Sequence, residues 1–131
     1  MTTEPLGDAH QRPVSAEGLA GALEAAGVRA GNHLAVGISM GAIGRLVDGP
    51  DTIIQGLLLA VSGHGTVMLN AYTDMFPLRR LRRRPGAIPV FDRDTPANTG
   101  AVANRLLTWP GAVRSAHPQT SFTALGRDAA A

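Results

Sequence analysis

The sequence predicts an α/β fold, a mainly parallel sheet with flanking helices, and three observations carry that prediction. Apolar stripes of helical period alternate along the chain with short apolar runs of strand length, the pattern of strand–helix–strand units. Glycine and proline punctuate the boundaries, with Gly27, Ser62-Gly63 and Pro110-Gly111 each following an apolar stripe. The length, 131 residues at 44% hydrophobic content, is enough for one modest core and a single domain.

Each element has its own warrant. Ser15 is a suitable N-cap for a helix to about Ala26, with Leu19, Leu23 and Ala26 on one face and Gly27 as its stop. Leu34 to Ile38 reads as a short buried strand. Asp51 or Thr52 opens the next helix, whose Ile53, Ile54, Leu57, Leu58 and Val61 form an apolar stripe ending near Ser62-Gly63. Thr66 to Leu69 is a second buried strand. Residues 70–98 show little periodicity and hold three prolines before Thr95. Long loops of that kind carry function or stay disordered. A helix from about Thr99 to Thr108 follows, with Pro110-Gly111 as terminator and a last strand from Phe122 to Leu125.

Composition narrows the function classes. The formal charge is +2, and all 12 basic residues are arginine. There is no cysteine, so disulfides, thiolate metal sites and thiol nucleophiles are excluded. No apolar run approaches bilayer-spanning length, and Met1 to Gln11 lacks the regions of a signal peptide. Cytoplasmic residence is the expectation, with no membrane partner. Five arginines fall between Arg79 and Arg84, yet no aromatic residues interleave them and the rest of the chain is not basic. A solvated loop is the reading there, and no nucleic-acid partner is expected. His10, His33 and His64 have no supporting constellation, no histidine pair has helical ligand spacing, and no metal is expected.

Polar chemistry concentrates in three places. Arg114-Ser115-Ala116-His117-Pro118 sets a histidine ahead of a proline, which constrains the backbone at His117. Such an imidazole can exchange protons or hydrogen-bond a polar substrate, and a plain surface turn is the alternative. Ser121, four residues on, reads as a local hydrogen-bonding group rather than a nucleophile. Gly37-Ile38-Ser39-Met40-Gly41 follows the first strand, where ligands gather in parallel sheets and where glycine admits a close backbone. A simple glycine-rich turn is the alternative. Asp74 follows the second strand, as a turn residue or as a carboxylate for a cationic ligand. Asp92 and Asp94 read as loop-ordering residues.

Taken in order, several segments make the chain resemble the aminoglycoside 3-N-acetyltransferase family, the antibiotic N-acetyltransferases. They are Gly31-Asn32-His33-Leu34-Ala35-Val36-Gly37-Ile38-Ser39-Met40 continuing to Pro50, Gly63-His64-Gly65-Thr66-Val67-Met68 leading to Tyr72-Thr73-Asp74, Pro89-Val90-Phe91-Asp92 with Thr95-Pro96 and Gly100, and Pro110 through Pro118 with Ser121 to Gly126. The likeness runs from about Leu19 to Gly126. It implies the amino-terminal part of that fold, a single incomplete domain over residues 1–131 with a long Arg/Pro-rich loop at about 70–98.

By the same resemblance, the activity is acetyl transfer from acetyl-CoA to an amino group of an aminoglycoside. Residues 37–39 match the family's acyl-donor positions, with Gly37 and Ile38 where the family has a histidine and a serine and Ser39 retained. Asp74 matches an acidic position at the substrate, and His117 matches the histidine beside the acceptor. A contact of the arginine block with the phosphates of coenzyme A is a lesser implication. The family's further histidine and glutamate have no counterpart, since no glutamate follows Glu24 and no histidine follows His117. Two functions therefore stand open, an antibiotic-resistance N-acetyltransferase and a non-catalytic remnant or ligand-binding module. A truncated parallel sheet would also leave an open edge, through which self-association is expected.

Overall fold

The computed structural model describes residues 12–73 and 90–131. His10, Asp74 and the block Arg79 to Arg84 lie outside the described residues, as does most of the expected 70–98 loop. The elements run α1 (Ala16–Ala25), β1 (His33–Val36), α2 (Met40–Ile43), α3 (Pro50–Val61), β2 (Thr66–Asn70), α4 (Ala101–Leu107), β3 (Val113–Arg114) and β4 (Phe122–Gly126).

The local chemistry explains most boundaries. Ser15 caps α1 as its residue type predicts, its Oγ accepting from the Gly18 N–H at 3.0 Å. Helix α3 starts slightly earlier than Asp51, because Pro50 at the first helical position carries a φ already suited to a helix. Thr52, almost wholly buried, accepts from the Asp48 N–H at 2.8 Å and closes that entry. Two short elements, α2 and β3, escape periodicity altogether, since four and two residues are too few to display one.

The sheet has the order β1-β2-β4-β3. Strands β1 and β2 are parallel, from His33↔Thr66 to Val36↔Leu69, with α2 and α3 as the crossover between them. Strand β4 lies antiparallel to β2, from Thr66↔Gly126 to Asn70↔Phe122, and β3 pairs antiparallel with β4. The expected α/β layering is present, but its parallel character is confined to the β1–β2 pair. For the β3–β4 pair the cause is connection length: residues 115–121 can form a hairpin but not the crossover of a dozen or more residues that parallel strands require.

One face of the sheet is closed by helices. Ile53, Ile54, Leu57 and Val61 of α3 pack with Val102 and Leu106 of α4 over Val67, Leu69 and Leu125. Burial of each such large side chain contributes about 1.5–3 kcal/mol. Helix α1 adds Leu19 and Leu23 to the margin of that core. It comes close to α3 only because residue 56 is glycine: a Cβ there would stand 2.8 Å from Leu19 Cδ2 and 3.0 Å from the Ala16 carbonyl oxygen. Asp51 and Arg105 tie α3 to α4 through a two-pronged contact, 2.6 Å from Nε to Oδ1 and 3.2 Å from Nη2 to Oδ2. The Arg105 guanidinium also lies 4.9 Å from the Trp109 ring centre.

Strand register decides where the chemistry gathers. The parallel strands end at Val36 and Asn70, and Phe122 at the start of β4 pairs with Asn70. Residues 37–41, 71–73 and 115–121 therefore leave the sheet at one common end.

Candidate functional site

A cavity of about 270 Å³ opens at that end, lined by Ile38 and Met40 after β1, Leu69 and Asn70 of β2, and Thr99 to Ala103 at the start of α4. Thr99 donates from Oγ1 to the Asn70 carbonyl at 2.7 Å, which holds the entry of α4 against the end of β2. Of the three residues expected to meet the acyl donor, Ile38 lines the cavity, while its chain neighbours Gly37 and Ser39 do not. Gly37 has no positive φ, is exposed, and has open space where a Cβ would project. Glycine is thus permitted at position 37 but not required by backbone strain. Ser39 holds the N-cap position of α2 with φ −120° and ψ 101°, and its hydroxyl caps nothing. Its side chain is left to face solvent or a ligand. The lining contributed by Thr99 to Ala103 had no signal in the sequence beyond a helix start, because the partner across the cavity is Ile38, some sixty residues earlier.

The His-Pro loop is stitched to the end of β2. The Ser115 N–H donates to the Phe122 carbonyl at 2.9 Å, and the Phe122 N–H donates to Ser115 Oγ at 2.9 Å, closing the loop at its base. The Ala71 N–H donates to the Ser121 carbonyl at 2.9 Å and the Thr73 N–H to that of Gln119 at 3.0 Å. Thr73 Oγ1 donates to the Pro118 carbonyl. Thr73 directly precedes Asp74 and Pro118 directly follows His117, so the two polar residues singled out in the sequence flank one hydrogen-bonded contact in the chain.

His117 itself is exposed and does not line the cavity. Its Nδ1 lies 3.2 Å from the Gln119 backbone nitrogen and 3.0 Å from that of Thr120, with Thr120 Oγ1 also at 3.0 Å. A backbone N–H can only donate, so Nδ1 accepts and the neutral ring carries its proton on Nε2. The imidazole therefore holds its own turn with one nitrogen and presents an N–H with the other.

Arg114 was not singled out by any pattern in the sequence, yet it is the most connected side chain near the loop. Nε donates to Ser121 Oγ at 3.0 Å, Nη2 to the Ala71 carbonyl at 2.9 Å, and Nη1 to the carbonyls of Arg93, at 3.1 Å, and Thr95. The guanidinium also stands 4.8 Å from the centre of the Phe91 ring. Burial lowers its pKa from the ordinary arginine value, opposed by the charges of Asp92 and Asp94. Ser121 is fully buried and donates from Oγ to the Ala71 carbonyl at 2.8 Å, so its hydroxyl does not bond locally as expected but ties the loop to a residue fifty positions earlier in the chain. Asp92 orders its loop, with Oδ1 accepting from the Asp94 N–H at 2.9 Å and from Thr95 Oγ1 at 3.2 Å.

His33 pairs with Asp128 at 3.3 Å on the exposed surface. Among the described residues no three histidines or carboxylates cluster as metal ligands, and no helix is long and apolar enough to cross a membrane.

Comparisons with known proteins bear on the family and the fold. The model of the aminoglycoside 3-N-acetyltransferase family matches residues 36–131. The chain is 36% identical over 123 residues to aminoglycoside N(3)-acetyltransferase III of Pseudomonas aeruginosa, covering 86% of this chain and 45% of that protein. It is 37% identical over 125 residues to aminoglycoside N(3)-acetyltransferase VIII of Streptomyces fradiae, covering 87% and 44%. The structure of AAC-VIa bound to sisomicin superposes with a TM-score of 0.80 at 32% identity, over 91% of this chain and 48% of that one. AAC-IIIb in binary complex with CoASH gives a TM-score of 0.73 at 31% identity, over 90% and 48%. The chain spans about half the length of the relatives it matches.

Proposed function

The chain belongs to the aminoglycoside 3-N-acetyltransferase family, and on that premise we propose that residues 1–131 form the amino-terminal part of an acetyl-CoA-dependent N-acetyltransferase domain acting on an amino group of an aminoglycoside. The observation that carries the reading is the meeting of three separate segments at one sheet end: Ile38 at the cavity, Thr73 leading into Asp74, and the His117 loop bonded to Thr73.

The roles follow from chemistry. Acetyl-CoA offers a thioester carbonyl, which an amine nitrogen attacks; the C–N bond forms, the C–S bond breaks and the coenzyme leaves as its thiol. Sites for drug-sized ligands run to roughly 300–1,000 Å³, so a cavity just below that range takes one end of a long co-substrate. Its apolar walls at Ile38, Met40 and Leu69 suit the uncharged acyl arm, with Gly37 and Ser39 adjacent to Ile38 in the chain. Met40 and Gly41 begin α2, where backbone N–H groups lack intrahelical acceptors, and such donors can stabilise the oxygen that gains charge during attack. Asp74 supplies a carboxylate for an ammonium group of the polycationic acceptor. His117 works through its Nε2–H as a donor to the polar substrate, and the base that takes the amine proton is then another group.

The test is release of coenzyme A thiol by the purified chain, given acetyl-CoA and a panel of aminoglycosides, after circular dichroism shows it folded. Amine-dependent release that is lost in His117→Ala supports the reading. No release from a folded chain rejects it in favour of a ligand-binding module of the same family.

A further inference from the structure

We infer that Arg114 is the positioning residue of this site, its guanidinium fixing the His117 loop against the end of β2 that leads to Asp74. The inference rests on the functional reading above for its catalytic consequence, but its structural content stands on the contacts alone.

Three segments distant in sequence meet on this one side chain. Ala71, at the end of β2, receives two donors on a single carbonyl, Arg114 Nη2 at 2.9 Å and Ser121 Oγ at 2.8 Å. Ser121 closes the His117 loop and accepts from Arg114 Nε at 3.0 Å, so its hydroxyl passes the contact from the arginine to β2. Arg93 and Thr95 bring the third segment to Nη1. Beyond Ala71 the next contacts outward are the bonds of Thr73 to Gln119 and Pro118, the two residues that follow His117. A shift at Ala71 or Ser121 is therefore carried to the imidazole through two residues of backbone on either side.

The residue type matters. A guanidinium directs its N–H groups from three nitrogens in one rigid plane, and here all three nitrogens are used on acceptors from different segments. A lysine keeps the charge but directs all its donors from one atom, and cannot span those acceptors together. Ser121 is fully buried, so no water replaces the lost donor at its hydroxyl without rearrangement.

The experiment compares the wild-type chain with Arg114→Lys by amide hydrogen exchange and by acetyl transfer. Exchange about tenfold or more faster at the Ala71 and Thr73 amides, with Val67 and Leu69 unchanged, is the expected result, because local opening exposes only the loop contact. A general loss of stability would instead raise all four together, and that uniform pattern overturns the inference, as does no change at any of them. In acetyl transfer, kcat falls on the order of a hundredfold while the amine KM changes little, the mark of misplaced rather than missing groups. Should the wild-type chain show no turnover, the functional reading fails while exchange at Ala71 and Thr73 still decides the role of Arg114. Should Arg114→Lys lose cooperative unfolding, Ser121→Ala, which removes the acceptor of Nε together with the hydroxyl donor to the Ala71 carbonyl and leaves Nη1 and Nη2 in place, is read by the same four amides.

Discussion

Replacing His117 by alanine and by asparagine separates what its two ring nitrogens do. Nδ1 accepts from two backbone N–H groups on an exposed loop. Each such bond is worth about 0.5 kcal/mol at the low end of the net range, which suits solvent-exposed partners, so the alanine variant loses about 1 kcal/mol. For a chain of this size that is roughly 4 °C in Tm. Asparagine places Oδ1 where His117 has Nδ1, and its side chain closes the same kind of turn onto the N–H two residues ahead. His117→Asn should therefore recover most of the lost stability. It does not recover Nε2–H, and loss of one such donor lowers kcat by about 10²–10³. Thermal melts and coenzyme A release, measured side by side on the three proteins, check both halves. Equal melting of the Ala and Asn variants would refute the turn assignment. An Asn variant with wild-type turnover would refute the role of Nε2–H.

Three further outcomes are expected. Ala101, exposed at the mouth of the cavity, becomes a plug in Ala101→Leu; the acetyl-CoA KM should rise about tenfold, an order of magnitude per 1.4 kcal/mol of lost binding, with Tm within a degree or two. A Cβ at position 37 meets no atom within 4 Å and the φ there is not unfavourable, so in the exposed Gly37→His variant stability should change by no more than about 0.5 kcal/mol by chemical denaturation. Calorimetric titration with acetyl-CoA should then show equal or tighter binding, whereas a large stability loss would refute the open geometry there. Gly126→Ala is the opposite case: its φ is +127° and the new Cβ would stand 2.8 Å from Thr66 Cα, so a loss of about 1–3 kcal/mol is expected in urea titrations.

What could be read from the sequence was whatever one element determines by itself. The Ser15 cap, the stripe of α3 and the strand at Thr66 each depend on neighbours within a turn or a pleat, and each appears where its pattern places it. The cavity does not, because it joins Ile38 to Ala101 through tertiary packing that no periodicity encodes. Arg114 was hidden for a related reason. On a two-residue strand there is no alternation to say which way a side chain faces, and its acceptors at Ala71, Arg93 and Thr95 are backbone carbonyls, which every residue possesses. His117 was visible as a residue, through the proline after it, but its committed Nδ1 was not, since that depends on the turn closing onto Gln119 and Thr120.

The topological feature that departs from expectation is also the one that assembles the site. In a wholly parallel sheet, the segment before β4 would leave at the amino end of the strands. Strand β4 is five residues long, and at about 3.4 Å per residue the His117 loop would then lie roughly 17 Å from the ends of β1 and β2. Because β4 is antiparallel, Phe122 pairs with Asn70 and the loop before it falls beside Ala71 and Thr73. Only β1 and β2 present the carboxyl ends of parallel strands to which the ligand rule for such sheets refers. The third segment at this end comes from the amino end of an antiparallel strand, beside the cavity rather than in its lining.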